Sequence, residues 1–459
     1  MIKTFDENFL LPNELTRNLY GKIHDSFANI DFISNINVED LSSNKRYSNI
    51  TELFIDSNKK MRQAMRYSGV DEKYITGAAS DFEKFKAFCD VMPDLIGNLV
   101  YMQRHFELKF YFDCDLKICP QNCESIWNIT SDYLQNHNVR ALSLLERARV
   151  EVLGIVTDGL SDLKPFEKIK NANTSVKIYP VLSMRGVIEI EEERFVSYIN
   201  ELSAVTEIQI KDFYTLGLAI GKVFDKFEGL GCSSFLIDSF VLSGFVKPDR
   251  YHADLIMKKA INKGSGELSA DEVSQWRAEF ILFLANEIKR RGWCLHYKIY
   301  VTSILKISLN SPYWRKLNIQ KRGVIPQLKL IEYLEAKDAL PNTVVYSDSL
   351  DEITLAMDRN RTDTPKLLYG VDGKNCADAK KIRASFDCIA RMSALGRLIG
   401  VPSFSDNILC KSYFETVKRV YLTAICEWIE SSGAPVDEED VLTLAKKIFY
   451  SNIKNLISL

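Results

Sequence analysis

Histidine is scarce in these 459 residues: His24, His105, His137, His252 and His296 are the only five. No two lie within a few residues of each other, which excludes the H-x-H and H-E-x-x-H metal motifs. Glycine (21) and proline (12) are also sparse. With no low-complexity stretch or Pro/Gly-rich linker, the chain reads as closely connected helices and strands. An excess of one charge is missing too: 59 Lys and Arg stand against 61 Asp and Glu, a net charge of -2. Without a basic face the Tyr and Phe residues read as core, so no nucleic-acid partner is expected. No apolar run approaches a membrane span, since residues 278–287 are too few and carry charge, so no membrane partner is expected either. Residues 1–15 lack an apolar leader. Ten cysteines at irregular spacing then predict free thiols in a reducing cytoplasm. Cys114, Cys119 and Cys123 form a cluster, but C-x4-C-x3-C lacks a fourth ligand and the tighter spacing of structural zinc.

What is present is alternation. Eight short apolar, β-branched or aromatic runs stand out at 29–36, 149–158, 175–183, 233–242, 293–301, 343–348, 366–371 and 398–404. Most are near-continuous in apolar character, as strands buried on both faces of a parallel sheet are. From the second run onward helical patterns separate them. Ser269 opens one with a capping box, Glu272 standing three residues on, and Val273, Trp276, Phe280 and Phe283 share a face before Gly292. Phe414, Val417, Val420, Ala424 and Trp428 form the stripe of another helix packed on a core. This alternation predicts an α/β fold, a (β/α)8 TIM barrel. One gap interrupts it: residues 37–148 read as helices, too many for a loop in a compact domain. The chain therefore divides into an N-terminal arm with the first barrel strand (1–36), an inserted helical subdomain (37–148), the remainder of the barrel (149–408) and C-terminal helices (409–459). The acidic runs 189–194 and 437–440 are expected to be helix starts, where carboxylates face the positive end of the dipole. The basic segment 314–323, after the fifth run, is expected to face solvent.

Seven stretches run in order along almost the whole chain: F-D-E-N-F-L-L (5–11), A-M-R (64–66), G-V-D-E-K-Y-I-T-G (69–77), A-S-D-x-E-K-F (79–85), H-x-E-L-K (105–109), R-G-W (291–293) and E-W (427–428). Together they resemble the uronate isomerases, a divergent branch of the amidohydrolase superfamily that interconverts aldouronates and ketouronates. The G-V-D-E-K-Y-I-T-G stretch is the specific one. The resemblance implies a (β/α)8 barrel with a helical insertion after strand one. It also implies isomerisation of D-glucuronate or D-galacturonate with a divalent metal such as zinc, and a homo-oligomer.

The resemblance breaks where that metal is held. Family members carry H-x-H at the end of strand one, and the register set by the flanking I-D and by N-I-T-E (49–52) places Ile33, Ser34 and Asn35 there. The strand-eight motif T-D-S-R-S supplies a ligating Asp and a substrate-binding Arg. Here Ser403, Phe404, Ser405 and Asp406 correspond, Phe404 replacing the ligand and Asp406 the arginine. The motifs R-P-D, D-H-G-L and W-W-F-N-D read S-M-R (183–185), L-I-D-S (236–239) and G-K-N-C-A (373–377).

Aldose–ketose isomerisation needs a base within reach of the migrating proton and a group that stabilises the enediolate oxygen. A metal can fill the second role, and the substrate carboxylate normally calls for a bidentate Arg. With the ligands and the arginine replaced, no metal cofactor is expected. The chain reads as a non-catalytic homologue that binds a sugar acid or pairs with an active paralogue. The alternative is metal-free isomerisation through His296, at the end of strand five, and Asp158, after strand two, with Lys298 and Asp406 binding substrate. Against these roles stand plainer ones: a hydrogen-bonded core histidine, and an Asp-Gly turn at Asp158-Gly159.

Overall fold

The computed structural model describes residues 6–24, 26–172, 174–238, 242–299, 324–347, 354, 356–357, 367–371, 378–400 and 402–457. Seven strands lie side by side in chain order: β1 (Asn29–Ser34), β2 (Val150–Asp158), β3 (Lys177–Ser183), β4 (Ser234–Asp238), β5 (Cys294–Lys298), β6 (Thr343–Ser347) and β7 (Leu367–Val371). Every pairing is parallel. Helices cover the outside of the curled sheet and side chains fill the inside, so β1, β5 and β6 are buried at every residue. Their near-continuous apolar sequences follow from that two-sided burial.

The run 398–404 departs from the expectation of a regular eighth strand. It touches the sheet at separate points on both sides. Ile399 N donates to Tyr369 O of β7 (3.2 Å), Phe404 N to Ile33 O of β1 (3.0 Å), and Asn35 N to Ser405 O (2.8 Å). Pro402 has no N–H to give a ladder, and Phe404 has φ of 47°, outside the β region. The segment still joins β7 to β1, giving the sheet the curvature of a barrel.

Helix α1 (Glu14–Ile23) precedes β1, and the insertion between β1 and β2 carries α2 (Lys59–Tyr67), α3 (Asp81–Val91), α4 (Leu99–Phe112), α5 (Cys123–Asn136) and α6 (Ala141–Arg147). Side chains of Asn58, Ser80 and Asn98 cap α2, α3 and α4 by accepting from backbone N–H groups of the first turn. Cys114, Cys119 and Cys123 are buried free thiols here. The connections after β2 to β7 carry α7 (Lys164–Lys170), α8 (Phe195–Thr206), α9 (Phe213–Gly229), α10 (Arg250–Lys263), α11 (Ala270–Arg290), α12 (Val324–Ala336) and α13 (Ala379–Met392). An extension of α14 (Lys411–Ser432), α15 (Glu438–Lys446) and α16 (Asn452–Leu456) follows.

Ser269 caps α11 as a capping box with Glu272, and Trp276 and Phe280 are fully buried on its inner face. On α14, Phe414, Val417, Val420 and Ala424 are buried, but Trp428 is 57% exposed. The stripe therefore ends a turn early, at the edge of a groove of about 920 Å³ shared with α13 and α15. Of the two acidic runs, 437–440 does open a helix, with Asp437 capping α15. Run 189–194 leads into α8, with Arg194 at its N-cap, but not all of its carboxylates are solvated. Glu191 is buried and paired with Arg277 of α11, and burial raises its carboxyl above the usual range.

Inside the sheet lies a separate apolar cluster that includes Ile30, Phe32, Val152, Tyr179, Leu236, Cys294, Val344 and Tyr346. Ile453 of α16 and Ile457 just beyond it complete this cluster. Their neighbours Tyr450 and Lys454 reach Glu151 near the start of β2 (2.8 and 2.7 Å). The extension therefore stoppers the end of the barrel where the strands begin, leaving the end where they finish as the place for a site.

Candidate functional site

Successive strand residues alternate between the two faces of a sheet. Cys294 belongs to the inner cluster, so His296 and Lys298 share its face on β5. Register pairs Leu236 with His296 and Asp238 with Lys298. His296 thus lies one layer below the strand ends. It is 0% exposed, with its ring against Phe32 (centroids 5.5 Å) and Tyr346 (5.9 Å). Nδ1 is 2.9 Å from Tyr346 Oη, while Nε2 has no hydrogen-bond partner among the described residues. Burial pulls its pKa down to about 3, so the ring is neutral. This imidazole sits inside the packed barrel, one layer below its rim.

Asp158 ends β2 and is committed elsewhere. Tyr198 Oη donates to its Oδ1 (2.9 Å), and so does Leu160 N (3.0 Å), the hydrogen bond of a turn. β2 and β5 are not neighbours in the sheet, and no contact joins Asp158 to His296 among those described. Asp406 accepts from Lys59 N (3.1 Å) at the start of α2, so the insertion holds it. Lys298 does stand at the strand ends. It is 1% exposed, its Nζ lies 3.0 Å from the centroid of the Phe404 ring, and Asp238 Oδ1 is 3.9 Å away.

The three positions that the resemblance assigns to metal ligands come together at this place. Phe404 N donates to Ile33 O (3.0 Å), and Asn35 Nδ2 donates to Phe404 O (3.0 Å). Ser34 Oγ donates to Ser405 O (3.1 Å) alongside. Convergence of this kind is what a metal centre requires, but the side chains are the wrong ones. Divalent metals of this class take imidazole, carboxylate or thiolate donors. Here the Ile33 and Phe404 backbones meet an amide whose nitrogen is already donating, neither an isoleucine nor a phenylalanine side chain offers a donor atom, and an ammonium lies against the phenyl ring. These residues do not fit a divalent metal. Among the described residues no group of three or more His, Cys, Asp or Glu could hold one.

Two charged groups near this rim lie inside the segments 236–239 and 183–185 but were not given a site role, Asp238 at the end of β4 and Arg185 just after β3. Arg185 donates to Glu189 (2.7 Å) and lies in the field of Asp238. For Asp238 the signal was inward parity, since it follows Leu236 by two. Segments 314–323 and 373–377 lie outside the described residues.

The family model described as glucuronate isomerase matches residues 1–457. The chain belongs to the glucuronate isomerase family. It is 26% identical over 466 residues to the uronate isomerase of Caldanaerobacter subterraneus, covering 99% of each chain. The crystal structure of the uronate isomerase from Thermotoga maritima superposes with a TM-score of 0.86 at 22% identity, covering 100% of both chains. That of the glucuronate isomerase from Caulobacter crescentus gives 0.84 at 12% identity, covering 99% of this chain and 97% of that one. At those identities the two structures speak for the fold alone. No helix among the described residues is long and apolar enough to cross a membrane.

Proposed function

We propose that this member of the uronate isomerase family keeps the barrel without the metal-assisted isomerisation, and works as a non-catalytic homologue that binds a sugar acid or pairs with an active paralogue. One observation carries the reading. Ile33, Asn35 and Phe404 converge where the resemblance puts three metal ligands, and the Lys298 ammonium lies against the Phe404 ring. A fixed cation in that place opposes a divalent ion and favours an anion such as the carboxylate of a uronate. Losing the metal and the bidentate arginine together removes most of what stabilises the enediolate, and each such interaction is worth a few kcal/mol, or about 100-fold in rate. Metal-free isomerisation through His296 and Asp158 has less behind it, because one side chain is enclosed below the rim and the other is held by Tyr198 and Leu160.

The test is turnover of D-glucuronate and D-galacturonate by the purified chain, alongside metal analysis. The reading expects no turnover above background and no bound zinc. Turnover at the rate of ordinary enzymes, or one zinc per chain, overturns it.

A further inference from the structure

A second polar site lies outside the barrel, where the insertion meets the 398–407 segment. Arg104 on α4 is buried, and its Nη2 donates to Glu107 Oε1 (2.6 Å). Ser412 Oγ donates to the same carboxylate oxygen. The remaining edge of the guanidinium is unsatisfied: neither Nε nor Nη1 has a hydrogen-bond partner among the described residues. One face of the group rests on Phe54, 5.1 Å from its centroid. Arg104 also lines a cavity of about 40 Å³ whose walls include Asn58, Lys60, Ser403, Asn407 and Ser412. Since roughly 10–15 Å³ of such space holds one water, the volume suits a halide-sized occupant with a water or two, and no larger ligand.

Polarity decides which occupant. Asn58 is the N-cap of α2, so the positive end of that nine-residue helix meets the cavity, with Lys60 in its first turn. Of the two nearby carboxylates, Glu107 accepts from Arg104 and Ser412 through Oε1, its Oε2 having no hydrogen-bond partner among the described residues, and Asp406 takes Lys59 N. A buried guanidinium hydrogen without an acceptor forfeits the solvation it had in water. We infer that this cavity binds a small monovalent anion of chloride size, held by Arg104 and the start of α2, and that the anion ties the insertion to the segment closing the barrel.

Crystals of the full chain soaked in sodium bromide should show an anomalous peak within hydrogen-bond distance of Arg104 Nε or Nη1. In solution, the thermal midpoint should be higher in sodium chloride than in sodium methanesulfonate at equal ionic strength. That difference should vanish in Arg104→Gln. Should the variant not fold, the bromide map and the wild-type salt comparison still decide. Density without anomalous signal overturns the inference, because water alone then satisfies the arginine. A bromide peak with no chloride–methanesulfonate difference marks an adventitious ion and overturns it equally.

Discussion

Replacing Asp31 by Asn should change how stability depends on pH. Asp31 lies in β1, fully buried, with Ser403 N donating to Oδ1 (3.0 Å) and Ser403 Oγ to Oδ2 (2.5 Å). Burial outweighs those hydrogen bonds and raises its pKa from 3.8 to about 7. In the unfolded chain the same carboxyl ionises near pH 4. Between about pH 4 and pH 7 the folded state therefore holds one more proton than the unfolded state. Stability is fully present below the unfolded pKa and falls as pH rises, by about 1.4 kcal/mol per pH unit. Over the whole window the loss reaches roughly 4 kcal/mol, after which the folded group ionises as well and the slope levels. Asn does not titrate, and the Ser403 hydroxyl can turn to meet its amide. Urea unfolding of wild type and Asp31→Asn from pH 4 to pH 8 isolates this group, because Glu107 and the other buried carboxyls are common to both. The variant should gain on wild type steadily up to pH 7 and hold that gain beyond. Parallel stability–pH curves would refute the reasoning, since they would mean that Asp31 ionises normally within the fold.

Trp276→Ala should cost about 3–5 kcal/mol in urea unfolding, because the indole is fully buried, stacks on Phe280 at 5.5 Å and donates from Nε1 to Val187 O (3.0 Å); a cost under 1 kcal/mol would show that the site collapses freely. Arg277→Met should cost about 3–5 kcal/mol by leaving the Glu191 carboxylate buried and unpaired. Adding Glu191→Leu should recover much of that, and a double variant no more stable than the single one would show that the pair is not what the arginine serves.

The sequence carried the architecture well because strands buried on both faces leave unbroken apolar runs, and helix starts leave capping residues such as Ser269 and Asp437. The shortfalls have physical causes. The 398–404 run has the composition of a strand, but Pro402 and the left-handed φ of Phe404 deny it a ladder. Trp428 keeps helical period with buried neighbours, yet period cannot say where the covering elements stop. At the site, alternation marks His296 as inward and says nothing of depth; only the register of β4, β5 and β6 puts it a layer below Lys298. The ion pair of Glu191 was not legible because its partner Arg277 lies 86 residues away, a separation no local pattern spans. The convergence of Ile33, Asn35 and Phe404 could be anticipated only through the family resemblance, since three uncharged residues leave no chemical signal of their own.

The stopper formed by Ile453 and Ile457 sets an order of events during synthesis. Ile453 follows Ile30, its partner in the inner cluster, by 423 residues, which at 5–20 residues per second is a wait of roughly 20 to 80 s on the ribosome. Until then the early strands keep an apolar face uncovered, so the nascent chain is a natural client for chaperones that shield apolar surface. Sealing of that end of the barrel is then a late step, and lesions in the extension should surface as poor yield of soluble protein rather than as an altered site.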